Sequence, residues 1–487
     1  MSKRDLQTII DSVPTGIYVN GKWQDGSAGR EFEVLNPANE DVLARVSAAS
    51  EADGKAALDA AVAAQSEWAA TPARKRADLL WAAFDRVMEL KDDFAAVMTA
   101  EMGKPLAQAY GEVTYGAEFL RWFAEAATHV SGQYYPTPEG NIQVITTKRP
   151  VGPCLMITPW NFPLAMATRK IAPALAAGCT VILKPSQDTP LTSHLFINVL
   201  HEVGVPAGVV NLLSTDSTKE VTGPLIQDPR LRKISFTGST QVGRALLREA
   251  AENVLRTSME LGGLAPFIVF EDADLDLVIP AAVATKMRNM GEACNAASRF
   301  YVHRSLEEEF TARLTAEMEK LRVGDGFEEG TDVGPIVSQR QLDSVTDLVE
   351  RSIAAGAQVR TGGKRAGGNG FFFPPTVIRV ERADNPLLQE EIFGPVAPVL
   401  AFDTEEEVLE LANASEYGLA GYVYTRDLQR IIRLGERLEV GMIGVNSQTI
   451  SNASAPFGGV KASGLGREGG SEGIEEFQET IYIGIPR

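Results

Sequence analysis

The chain has 487 residues, more than one hydrophobic core usually supports, so two or more domains are expected. With 44% apolar and 23% charged residues, and no apolar run near the ~20 residues of a membrane-spanning helix, the composition excludes disordered, collagen-like, disulfide-stapled and helical membrane classes. A formal charge of -18 argues against a nucleic-acid partner, and any anionic ligand must be met by positive side chains gathered locally against the global sign.

The start, Met1-Ser2-Lys3-Arg4-Asp5, is polar and leads into no apolar signal core, so a soluble cytoplasmic protein is expected. Residues 55–135 carry apolar side chains at the i, i+3, i+4 spacing of helices with one buried face, as in "RKRADLLWAAFDRVMEL". "YYPTPEGNIQVITTKRPVG" then alternates like an exposed β ribbon. From 151 to 270, short β-branched runs alternate with helical segments: "CLMITPW", "PLAMATRKIAPALAAG", "CTVILKPS", "TPLTSHLFINVLHEVG", "GVVNLLS", "VTGPLIQ" and "KISFTGS". That alternation predicts right-handed βαβ crossovers and a doubly wound parallel sheet that binds a nucleotide. A second alternating α/β region begins near 259, and "QETIYIGIPR" reads as a lone strand that joins a sheet elsewhere, on this chain or on a partner subunit.

Cys154, Cys179 and Cys294 lie far apart, with no Cys-x-x-Cys and no histidine at metal-ligand spacing, so neither a disulfide framework nor a metal site is expected. Four histidines supply no Cys-His or Ser-His-Asp arrangement. "SFTGSTQVG" sets Gly238 where a strand turns into a helix, a place for phosphate, although a plain tight turn fits as well and the dinucleotide fingerprint is missing. Lys184 ends a strand, where its ammonium could hold an adenosine ribose or its phosphate. Glu260, amid apolar neighbours and followed by two glycines, has the setting of a general base or of a salt-bridged glutamate at a domain junction. Asn161 stands on a strand-to-helix turn, as oxyanion donor or as helix cap.

"PWNFP", "ELGG", "GEACNAASR", "EEIFGP" and "PFGGVKASGLGREGG", in that order, resemble the NAD(P)-dependent aldehyde dehydrogenase superfamily over essentially the whole chain. The resemblance implies an NAD(P)-binding domain at 1–130 with 150–258, a catalytic domain at 259–469, and an oligomerisation ribbon and tail at 131–149 and 470–487, pairing between the subunits of a homodimer or homotetramer. It implies Cys294 as nucleophile, Glu260 as general base and Asn161 as oxyanion donor. Lys184 and Glu391 would hold the cofactor riboses and Phe393 would pack by the nicotinamide, with Thr158, Trp160, Gly238 and Ser239 also in the cofactor site. A Cys294 thiolate would add to the aldehyde, Asn161 would meet the alkoxide, and water activated by Glu260 would hydrolyse the thioester.

Within the superfamily the chain is most similar to succinate-semialdehyde dehydrogenases, whose carboxylate grip maps to Arg169, Arg288 and Ser451. Arg288 ends a helical segment that otherwise looks buried, where an unpaired guanidinium is costly and a carboxylate ligand is the natural bidentate partner. Arg169 taken alone reads as a structural salt bridge. Gln187 stands where NAD-preferring members carry a glutamate, so a 2′-phosphate meets no carboxylate there and Ser186 with Lys184 could bind it: NADP is expected to be preferred and NAD to be possible, with Asp188 as the competing charge. Ala296 replaces the second cysteine of some relatives, so no redox switch is expected. Leu264 replaces a common asparagine without a functional reason, and Arg299 has none assigned. Rival substrates are glutarate semialdehyde, 2-oxoglutarate semialdehyde or a sulfonated aldehyde, and the rival class is a cofactor-independent thiol esterase.

Overall fold

The computed structural model describes residues 3–487; Met1 and Ser2 of the polar start lie outside them. Four consecutive helices, Glu51–Ala70, Ala73–Glu89, Lys91–Met102 and Leu106–Ala127, form a helical layer. Ser50 and Asp53 close a capping box at the start of the first, which satisfies N–H groups that have no partner within the helix. Gly103 ends the third with φ 89°, a left-handed turn that costs glycine little. Helix stops at 127, not 135, because Gln133–Pro136 is already the first strand of the ribbon.

The first sheet has eight strands. At its centre, Val210–Leu212, Val181–Lys184, Cys154–Ile157, Lys233–Thr237 and Arg256–Glu260 run parallel and lie side by side in that order. Four of these strands are buried along their whole length, as expected for a parallel sheet covered by helices on both faces, and the fifth is buried from Ser258 on. From Cys154–Ile157 the chain builds outward in one direction and then returns to build from Lys233–Thr237 in the other. The carboxyl ends of these two neighbours therefore form a topological switch point, where open α/β sheets bind their ligands.

The second sheet orders Gln358–Thr361, Thr376–Arg379, Val396–Phe402, Ala297–His303, Ala265–Val269, Ala420–Tyr424 and Met442–Val445, all parallel except the first. The two sheets are not separated at 258/259, since Arg256–Glu260 crosses that boundary. Gly464–Leu465 returns to pair antiparallel with Met259 and Glu260, so residues expected in the catalytic part extend the nucleotide sheet.

The tail corrects a second expectation. Gln478–Pro486 pairs along its full length with Ile142–Pro150 of the same chain, from Gln478 opposite Pro150 to Pro486 opposite Ile142. The hydrogen-bonding edge that a lone terminal strand needs is present in cis, so its pairing calls for no second subunit.

Candidate active site

The carboxyl ends of the nucleotide-sheet strands bring four of the sequence candidates into one row: Thr158, Lys184, Gly238 and Glu260. Thr158 donates its N–H to the Lys184 carbonyl at 3.1 Å. Lys184 is buried, with Asp188 the acidic charge nearest in effect, and burial pushes its ammonium down to about 8. Ser239 caps helix Thr240–Ala251, accepting from Val242 N at 3.4 Å, so a helix N-terminus faces the site. Ser186 accepts from Asp188 N at 3.2 Å, and Gln187 is exposed. Asp188, the competing charge, sits 3.7 Å from Arg340.

A cavity of about 240 Å³ opens beside this row, lined by Trp160, Asn161, Gly238, Cys294, Glu391 and Phe393. The Trp160 and Phe393 rings meet edge to face at 5.2 Å, and Phe393 holds φ 46°. Glu391 Oε1 accepts from Gly263 N at 2.9 Å, and burial pushes its carboxyl up to about 7. Gly262 and Gly263 are required by packing: a Cβ on the first would stand 2.8 Å from Glu391 Oε2, and on the second 2.2 Å from the Cys294 carbonyl. The second glycine thus makes room for the backbone of Cys294.

Glu260 is buried and its Oε2 has no hydrogen-bond partner. Burial, then the Glu468 carboxylate, raises its pKa well above the carboxylate range. Cys294 does not rest as a thiolate. Burial pushes its thiol up to about 12, with Glu260 and Glu391 adding to the rise and Arg169 opposing it. Relative to a free thiol, ionising it costs roughly 4 kcal/mol more, so a base must take the proton.

Asn161 is not the cap of helix Pro163–Ala177, because Glu112 takes that role by accepting from Leu164 N and Ala165 N at 3.0 and 3.3 Å. Its own amide oxygen accepts from Phe162 N, and one amide N–H goes to the Glu292 carbonyl at 3.1 Å, which leaves the other N–H free to meet an oxyanion. Asn289, Met290 and Gly291 follow one another at φ 54°, 55° and 76°, a left-handed run that turns the chain into the cysteine loop.

On the far side of that loop lies a second cavity, of about 310 Å³, lined by Tyr115, Arg288, Ala293, Asn295, Tyr422 and Ser451. Tyr115 and Ser451 share a hydrogen bond through their hydroxyls, and Tyr422 donates to the Asn295 carbonyl at 2.8 Å. Arg288 is exposed, not buried, since the helix ends at Met287 and the chain turns out into the cavity mouth. Its guanidinium lies 5.1 Å from the Phe162 ring and 5.9 Å from Tyr115, with no carboxylate paired to it among the described residues.

Arg169 is not in this cavity. It is 2% exposed, ion-paired to Glu468 and stacked 4.1 Å from the Phe457 ring, while its Nη2 has no hydrogen-bond partner. Glu468 also pairs with Lys170. The sequence reading missed Glu468, although it is the single acid within "PFGGVKASGLGREGG". It also missed Tyr115, Tyr422 and Lys286, a buried ammonium without a hydrogen-bond partner, pushed down to about 7 and attracted by Glu391. Arg299 is structural, donating to the carbonyls of Leu264, Leu411 and Ala412.

The aldehyde dehydrogenase family model matches residues 23–483. The chain is 56% identical over 444 residues to a succinate-semialdehyde dehydrogenase of Paenarthrobacter nicotinovorans, which covers 91% of this chain and 99% of the relative. It is 44% identical over 467 residues to an NADP(+) succinate-semialdehyde dehydrogenase of Escherichia coli K12, covering 96% and 97%. A crystal structure of succinate-semialdehyde dehydrogenase from Burkholderia pseudomallei superposes with a TM-score of 0.96 at 42% identity, each chain covered in full.

Proposed function

The chain belongs to the aldehyde dehydrogenase family, and from that premise we propose that it oxidises succinate semialdehyde to succinate with NADP, accepting NAD as well. The observation that carries the substrate is the Arg288 guanidinium, unpaired at the mouth of the second cavity, with Ser451 and Tyr115 beside it and the cysteine loop as the inner wall. In a protein of charge -18 this is the local positive centre that an anionic aldehyde requires. Arg288 would bind the terminal carboxylate and Ser451 would donate to it, which leaves the carbonyl end to reach Cys294. Arg169, expected in that grip, is ion-paired to Glu468 and in this reading serves to lower the cost of charge at Cys294.

The residues present fit a dinucleotide: a helix N-terminus at Ser239 for phosphate, a buried Lys184, and Glu391 with one oxygen anchored and the other free for a ribose. NADP is favoured because Gln187 carries no charge and Asp188 is drawn to Arg340. The chemistry a bound nicotinamide supplies is acceptance of one hydride. Cys294 loses its proton to a base, for which Glu260 has the raised pKa, and its sulfur adds to the aldehyde carbon. The free N–H of Asn161 stabilises the resulting alkoxide. Once the hydride has left the alkoxide carbon and Glu260 has passed the thiol proton on to solvent, its carboxylate takes a proton from the water that hydrolyses the thioester.

The same guanidinium would accept glutarate semialdehyde or a sulfonated aldehyde, so chain length is the open variable. We also propose a cytoplasmic homo-oligomer assembled through the ribbon; no helix among the described residues is long and apolar enough to cross a membrane. The test is a matrix of kcat/KM for aldehydes with and without a terminal carboxylate, against NADP and NAD. Preference for the four-carbon acid aldehyde with NADP is expected. Equal turnover of uncharged aldehydes of the same length would overturn the substrate assignment.

A further inference from the structure

Lys104 and Glu112 form an ion pair in which both side chains are 1% exposed, and neither is among the residues assigned above to substrate, cofactor or reacting atoms. Desolvating two charges is repaid only by good geometry, and apolar residues of similar volume often serve stability as well or better. Stability alone therefore explains the pair poorly. Each remaining polar contact of the pair goes to Asn161 itself or to the helix start just after it. Glu112 Oε1 accepts from Leu164 N at 3.0 Å and Ala165 N at 3.3 Å, serving as the cap that Phe162 does not provide for helix Pro163–Ala177. Lys104 Nζ donates to the Asn161 carbonyl at 2.8 Å and lies 4.3 Å from the centre of the Phe162 ring.

Asn289 Nδ2 donates to the same carbonyl at 3.0 Å, so both lone pairs of Asn161 O are occupied, and it donates to the Glu292 carbonyl at 2.9 Å. That second carbonyl also receives the Asn161 amide. The main chain of Asn161 is thus fixed by a charge and by the turn that leads into Cys294, and its amide is then oriented by Phe162 N and the Glu292 carbonyl. A neutral donor could reach the carbonyl too; an ammonium makes the shorter, charge-assisted bond and resists displacement by water.

We propose that Lys104, anchored by Glu112, is a positioning residue for the oxyanion step: by holding the Asn161 carbonyl it sets where the Asn161 amide meets the developing alkoxide. This rests on Asn161 as the oxyanion donor. The pair Lys104→Met with Glu112→Gln removes the charges and the carbonyl bond, while the glutamine oxygen still caps the helix. In single-turnover stopped flow, the hydride-transfer rate should fall roughly 10- to 100-fold, the loss expected for a donor displaced by about 1 Å, with KM for the aldehyde unchanged. Asn161→Ala should lower the same rate, and adding the pair to it should cost nothing more, since both changes remove one interaction.

A pair variant with the wild-type rate overturns the proposal, as does a multiplicative loss in the triple variant. If Asn161→Ala itself leaves the rate intact, the oxyanion assignment fails, whatever the pair does. Thermal melting reports folding. Should the pair variant not fold, Glu112→Gln alone keeps cap and ammonium but frees the ammonium from its anchor. A smaller drop in the hydride-transfer rate is then expected, and no drop overturns the proposal.

Discussion

At position 288 a guanidinium has no carboxylate paired to it among the described residues, whereas at 169 it is ion-paired to Glu468 inside the fold, and the two arginines should fail in different ways. Arg288→Ala should lower kcat/KM for carboxylated aldehydes about 10- to 100-fold, the worth of a charged hydrogen bond, with uncharged aldehydes and thermal stability unaffected. Arg169→Ala leaves the buried Glu468 paired to Lys170 alone and should cost about 1–3 kcal/mol in denaturant unfolding, the worth of one charged contact. A stable Arg169→Ala enzyme that loses only its preference for carboxylates would return Arg169 to the substrate grip. Lys184 makes a pH prediction. Its ammonium, pushed down to about 8, is charged below that pH and neutral above it, so affinity for 2′,5′-ADP in calorimetry should weaken as pH rises through 8, while affinity for 5′-AMP changes less. A flat profile would remove Lys184 from the phosphate site.

Helix Leu191–Glu202 shows how a single buried group couples an element to pH. His194 Nδ1 lies 2.7 Å from the Pro14 carbonyl and Nε2 2.7 Å from Ser214 Oγ, and burial pushes its pKa down to about 4. Because the folded state holds the ring neutral while an unfolded imidazole titrates near 6.5, the stability it contributes is present above pH 6.5 and lost as pH falls toward 4. The loss amounts to roughly 3 kcal/mol at the acid end. His194→Gln should flatten the pH dependence of the denaturant midpoint in that window; an unchanged slope would assign acid sensitivity to the carboxylates. The helix itself is legible from its apolar spacing, but its histidine reads as one of four without a role, because desolvation depends on neighbours from residues 14 and 214. The left-handed run at Asn289–Gly291 is only partly legible: asparagine and glycine tolerate positive φ, but methionine gives no local sign of it, and the surrounding packing imposes it.

Across the whole molecule, the ribbon is a three-stranded antiparallel sheet whose outer strands carry exposed apolar side chains, Tyr134 at 74% and Tyr482 at 60%, with Ile483 and Ile485 beside the latter. A protein of this charge has no reason to keep such side chains wet, and in the proposed oligomer they meet another subunit. Deleting residues 478–487 should leave the nucleotide sheet folded and lower the mass seen by light scattering toward the monomer; an unchanged mass would place assembly elsewhere. By itself the sequence determined what is local: the strand–helix alternation of the nucleotide sheet, the two glycines after Glu260, and the motif around Cys294, since each is written in a few contiguous residues whose backbone geometry admits few solutions. Only the tertiary structure decided that the tail pairs in cis, that Arg169 is ion-paired to Glu468 while Arg288 is not, and that the surroundings of Cys294 push its thiol up. Those outcomes depend on distance and desolvation between groups hundreds of residues apart, and neither quantity exists until the chain has folded.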